Sequence, residues 1–126
     1  MIRTTLIVAL GGGVGSALRF LISKFVQANT TGTFPYHTFA VNVVGCLLIG
    51  FFYGLAARGH LGNNTTALLL TTGLCGGFTT FSTFCNENLT LLRSDNALIA
   101  MLYAVSSLLC GLIAVFLGYW IVEKLL

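Results

Sequence analysis

The chain has 126 residues, 56% of them hydrophobic and 7% charged, with a formal net charge of +3. A soluble domain carries roughly 25% charged residues, so this composition excludes both an ordinary soluble domain and a disordered chain. A lipid span needs about 20 apolar residues; the length therefore allows four spans with short connections, while the scattered basic residues form no patch for nucleic acid.

Span one is predicted over about 4–26. Arg3 followed by apolar residues resembles the start of a signal peptide, but the apolar run continues past Gly15 to Phe25 without a small-residue cleavage site, so the span is expected to be retained. Gly11 and Gly15 form a GxxxG pair, extended by Gly12/Ser16 and Gly13/Ala17, a surface that lets membrane helices approach closely. A phosphate-binding loop is discounted, since no strand precedes the glycines and no Lys-Ser/Thr follows them. Arg19, about two turns before the end of the span, either snorkels to the interface or serves a function.

A polar loop leads to Pro35, which suits the entry to span two at about 37–57. Asn42 is the one carboxamide in this span. In lipid it must meet a partner helix or a wet path, because an unpaired amide is costly. Gly50 and Gly54 add a second small face, and His37 and His60 fall near span ends, where an interfacial position is expected.

Span three is predicted over about 67–92 and carries the least helix-like segment, 73–84. Gly73, Gly76 and Gly77 are followed by hydroxyl residues interleaved with Phe78, Phe81 and Phe84. Glycine is a poor helix former, and irregular backbone at membrane depth survives only against protein or a wet cavity. The segment reads as a helix break aimed at something polar, or as a glycine-softened packing helix. Phe81 and Phe84 share a face if the chain after the break is helical. Glu87 follows, and a solvated helix end is its plainest reading.

Asp95 or Asn96 is a plausible N-cap for span four, about 97–122. Tyr103 and Ser107 stand one turn apart on it, and Tyr119, Trp120 and Lys124 read as interfacial anchors. The four cysteines all lie in apolar stretches without ligand spacing and read as small buried hydrophobes. With four spans both termini share one side, which carries Arg3, Arg58 and Lys124 against Lys24 and Arg93 on the other, with Arg19 nearest the latter. This balance assigns no orientation. Together with the small number of spans it predicts an antiparallel homodimer of inverted topology.

The run Gly12 to Phe20, the run Val41-Asn42-Val43-Val44-Gly45 and above all Gly73 to Phe84 resemble, in order and over the whole chain, the motifs of the Fluc family of small bacterial fluoride channels. The resemblance implies an all-α membrane protein, one four-helix domain over 1–126 with the third helix broken, forming a dual-topology homodimer with two antiparallel fluoride pores in a bacterial inner membrane. It implies a structural sodium ion at the dimer centre, held by the backbone carbonyls of Gly76 and Thr79 from both chains. Phe81 and Phe84 would turn ring edges to the permeating anion, Asn42 would donate its amide, and Ser82 and Thr83 would add hydroxyls. Tyr103 and Ser107 would begin a polar track that Gly111 and Val115 do not continue. Arg19 would support the vestibule, with Thr38 near the same end and Glu87 near the pore exit. No residue pattern suggests bond breaking, so no enzyme activity is expected. A small dual-topology multidrug exporter is the strongest rival, but it requires an acidic residue within its first span, and none is present.

Overall fold

The computed structural model describes residues 1–126 and is entirely helical. Its elements are α1 (Ile2–Asn29), α2 (Tyr36–Ala57), α3 (Asn64–Leu68), a π-helical stretch (Leu69–Cys75), α4 (Gly76–Phe78), α5 (Phe81–Arg93) and α6 (Ala97–Leu125). Four segments are long and apolar enough to cross a membrane: α1, α2, α6 and the composite third span Asn64–Arg93. α1 runs past the predicted 4–26 because Asn29 and Thr30 donate back to the carbonyls of Phe25 and Val26, occupying acceptors of the last turn. Pro35 is the N-cap of α2 and Asn63 caps α3 by accepting from the Thr66 amide. Before α6 the chain turns through Asp95 in the left-handed region (φ 62), which short polar side chains tolerate. Asn96 then takes the N-cap position without a side-chain bond.

The spans pack as two tight pairs. α1 lies along the first half of the third span, and α2 lies along α6. Small residues decide both. A Cβ on Gly15 would collide with the Leu74 carbonyl, one on Gly11 would sit 2.7 Å from the Leu69 carbonyl, and one on Gly77 would collide with the Gly12 carbonyl. In the other pair, Gly50 admits the Val115 backbone and Gly118 admits the Leu47 carbonyl, with Gly54 against Val122. Lipid supplies no hydrophobic drive between helices, so close backbone fit must hold such pairs together.

The third span is interrupted more narrowly than the 73–84 stretch, and by different residues. Gly76 is helical (φ −62, ψ −39), whereas Thr79 (φ −87, ψ 160) and Thr80 (φ −149, ψ 123) are extended. The helix resumes at Phe81, so Ser82, Thr83 and Phe84 lie in a regular first turn. Gly73 and Gly77 therefore serve the approach of α1, and the two threonines make the break.

Only 19 of the 126 residues are buried, and large apolar side chains such as Leu6, Phe20, Phe25, Leu108 and Phe116 are exposed along α1 and α6. A soluble monomer rarely exposes more than a few hundred Å² of contiguous apolar surface. These faces suit lipid or another chain. Arg58 donates to the Glu123 carbonyl at one end of the bundle, while Gln27, His37 and Glu87 meet at the other. The C-terminal ends of α2 and α6 thus lie together, as alternating spans require.

Candidate functional site

Thr79 and Thr80 leave backbone groups that a helix would have satisfied, and at membrane depth those groups need partners. Asn42, on α2, supplies two. Its Nδ2 donates to the Thr80 carbonyl at 3.0 Å, and its Oδ1 accepts from the Thr80 amide at 2.8 Å. Thr80 also caps α5 by accepting from the Thr83 amide. Asn42 is therefore a splint across the break as well as a polar group on a cavity wall. An Asn amide nitrogen has two hydrogens, and one remains beyond the Thr80 bond.

The break opens onto two cavities. One, of about 490 Å³, is lined by Asn42, Thr80, Phe81, Phe84 and Ser107 among others. Phe81 and Phe84 share this face as the helical spacing predicts, with ring centroids 6.0 Å apart. Phe81 is 77% exposed, on an open side of the molecule, while Phe84 packs on Tyr103 with centroids 4.9 Å apart. The Ser107 hydroxyl oxygen is buried and has no hydrogen-bond partner in the chain, the one such side-chain atom in the structure. Beyond Ser107 the expected polar track closes. Gly111 faces Cys46 and the Val115 backbone lies on Gly50, so α2 and α6 meet there with no room for a path.

The second cavity, about 430 Å³, is polar and basic. Arg19 and Lys24 line it with His37, Thr38, Thr80 and Thr83. Arg19 does not snorkel outward: its Nε donates to the Gly77 carbonyl at 3.2 Å, beside a Ser16 hydroxyl donating to the same oxygen. Thr80 lines both cavities, which places the extended backbone at their junction.

Glu87 is not a solvated helix end. Its carboxylate accepts from the Thr38 hydroxyl at 2.8 Å and the Tyr103 hydroxyl at 2.8 Å, and lies 3.0 Å from the His37 ring. Thr38 and Tyr103 are buried, so two buried hydroxyls and one carboxylate satisfy one another. His37 is correspondingly not a free interfacial residue. It sits one position before Thr38, near the start of α2, and its spacing from Glu87 in the sequence offered no signal of the pairing. Ser82 stands apart from the assembly, exposed on α5 and lining neither cavity. Of the four cysteines expected to be buried, only Cys75 is; Cys46 and Cys110 are half-buried and Cys85 is exposed.

The carbonyls of Gly76 and Thr79 can be tested as cation ligands. The Thr79 amide bonds to the Cys75 carbonyl and the Thr80 amide to Asn42, so neither takes the Gly76 carbonyl. The Thr79 carbonyl likewise accepts no bond within the chain. The neighbouring Gly77 oxygen is occupied by Arg19 and Ser16. No cluster of His, Cys, Asp or Glu competes for a metal. Two neutral oxygen donors with free lone pairs fit a hard monovalent ion.

The family described as "CrcB-like protein, Camphor Resistance (CrcB)" matches residues 6–119. The chain is 49% identical over 121 residues to the "Fluoride-specific ion channel FluC" of Phocaeicola vulgatus, covering 96% of this chain and 99% of that one. It is 46% identical over 123 residues to the protein of the same name from Flavobacterium psychrophilum, covering 98% and 99%. With that of Aquifex aeolicus the identity is 45% over 118 residues, covering 94% and 95%.

Proposed function

The chain belongs to the CrcB-like family of fluoride ion channels, and from that premise we propose that it is a multi-pass membrane protein of a bacterial inner membrane that lets fluoride leave the cell passively through two antiparallel pores of a homodimer. As a channel of this family it is not an enzyme. The observation that carries the pore assignment is the unpartnered Ser107 hydroxyl, buried on the wall shared by Asn42, Phe81 and Phe84. A buried hydroxyl without a partner is costly, and a small anion is an acceptor that satisfies it.

The chemistry follows from the groups along the two cavities. Fluoride is small and strongly hydrated, so a conducting path must replace its water with close donors. Arg19 and Lys24 draw the anion into the polar cavity, where the Thr83 hydroxyl is the first donor beyond them. At the Thr80 junction the second hydrogen of the Asn42 amide is presented, and Ser107 follows. Between these, the aromatic rings contribute their positive edges. Such a path excludes larger anions by dehydration mismatched to its donors. Glu87, beside the path, is held by the hydroxyls of Thr38 and Tyr103.

A second copy of the chain is the natural closure of the open side at Phe81, and the balanced Lys/Arg count supports insertion in both orientations. Single-cysteine tags at the C-terminus, in a background without native cysteines, should label from both sides of intact cells. Labelling from one side alone would defeat the dual topology. The Gly76 and Thr79 carbonyls of the two chains would hold the sodium ion, which supplies a fixed positive charge and a tie between protomers. Exhaustive replacement of sodium by N-methylglucamine should reversibly loosen the dimer, as read by subunit exchange between differently labelled protomers; unchanged exchange argues against the ion. The test of function itself is efflux from liposomes loaded with potassium fluoride, started with valinomycin and followed with a fluoride electrode. Rapid fluoride efflux without comparable chloride efflux or need of a proton gradient is expected. Equal chloride efflux would overturn the assignment.

A further inference from the structure

One pair at this end of the bundle, His37 with Glu87, has no part yet in the pathway just described. His37 forms the wall between the basic cavity and a second polar cavity of about 340 Å³ that contains Glu87. Its Nε2 lies 3.0 Å from Glu87 Oε2 and 3.3 Å from the Gln27 amide nitrogen. These two contacts make opposite demands. Carboxylate oxygen only accepts and amide nitrogen only donates, so a single ring nitrogen serves Glu87 when it bears a proton and Gln27 when it bears a lone pair.

We propose that His37 is a positioning residue that acts as a proton-operated latch on Glu87 and so makes fluoride conduction depend on pH; the inference rests on the channel function proposed above. In the protonated state both ring nitrogens are donors. Nε2 pairs with Glu87, and the imidazolium cancels the carboxylate charge beside the anion route. In the neutral state Nε2 turns its lone pair to the Gln27 amide, and the negative charge of Glu87 is left with its two hydroxyl donors only. An uncompensated charge near a poorly screened path repels an anion.

Histidine is the side-chain type that exchanges a proton near neutral pH. The groups facing His37 are consistent with a single switch. From α1 come Lys24 and Arg19, across the shared cavity. From α5 comes Glu87, and from α6 Tyr103, which reaches His37 only through Glu87. The loop before its helix brings Thr30 and Thr33, which carry no charge.

Three proteins decide it: the wild-type chain, His37→Gln, which donates but carries no charge, and His37→Lys, which keeps a positive charge throughout. Each is reconstituted full length, and potassium fluoride efflux under valinomycin is measured at about pH 6 and about pH 8, after subtracting leak through protein-free vesicles of the same lipid. Wild-type flux should be about fivefold faster at the lower pH. Both variants should lose that step, Gln settling near the wild-type rate of the higher pH and Lys near that of the lower. A flat wild-type profile overturns the latch without any variant, and so does a Gln or Lys variant that retains the wild-type ratio. If the wild-type chain passes no fluoride selectively at either pH, the channel function fails and the latch with it, a result distinguishable from a conducting but pH-indifferent protein.

Discussion

The two halves of the third span differ in what their residues are for. Before the break, the π-helical stretch Leu69–Cys75 and α4 present Gly73 and Gly77 to the glycines of α1, and the contacts are made largely by backbone. After it, α5 is a regular helix whose side chains line the cavities and bond across helices: Phe81 and Phe84 toward one cavity, Thr83 toward the other, Glu87 toward Thr38 and Tyr103. A π-turn widens the helix and is common at functional sites, yet here it lies on the scaffold side. The comparison teaches that the same span separates support from function by a two-residue gap, so that close packing fixes one half and leaves the other free to be polar.

Substitutions on the two sides should therefore fail differently. The largest effect is expected on the scaffold half. Gly77→Val places branched carbon against the Gly12 backbone, and overpacking of this kind costs about 1–3 kcal/mol or more. The expected outcome is loss of monodisperse protein on size-exclusion chromatography, with no folded fraction left to assay. A well-folded Gly77→Val protein would show that α1 and the third span do not depend on this contact.

Asn42→Asp should come next, with the fold retained and fluoride flux reduced on the order of a hundredfold. An ionised carboxylate has no donor for the Thr80 carbonyl or for an anion, and it repels the anion directly. Unchanged liposome efflux by a folded Asp variant would take Asn42 out of the path. Tyr103→Phe is milder because the ring still fills its buried site while only the bond to Glu87 is lost; flux on the order of tenfold lower is expected, since the Glu87 charge, left with one hydroxyl donor fewer, repels the anion more. An equal rate would leave Glu87 indifferent to its second hydroxyl. The smallest effect is expected at Ser82→Ala. The serine is exposed and lines neither cavity, so efflux should stay within about twofold, surface substitutions being near neutral. A large loss there would mean that the partner chain brings Ser82 to the path.

Local composition carried much of the architecture. Hydropathy alone marks four spans, because crossing lipid demands an uninterrupted apolar length. The small residues of α1, α2 and α6 announce close approach in the sequence, although not which helix each one meets. The sequence also points to the neighbourhood of the break, since glycine and threonine in succession disfavour a helix. It does not say that Gly76 stays helical while Thr79 and Thr80 leave the helix, because that choice depends on what receives the freed backbone groups. The receiver is Asn42, 38 positions away. Glu87 shows the same limit: a helix-end carboxylate by its neighbours in sequence, it is tied to Thr38, 49 positions away, and to Tyr103.

What the sequence determined by itself was therefore the set of spans and the inventory of polar groups that lipid would not tolerate alone, since both follow from the cost of burying or exposing each residue in turn. Only the tertiary structure decided which of those groups satisfy one another and which is left over. Hydrogen-bond partners are selected by distances across helices, and it is the packing of glycine faces, α1 on the third span and α2 on α6, that sets those distances: it closes Asn42 onto Thr80, His37 and Tyr103 onto Glu87, and leaves the Ser107 hydroxyl without a partner.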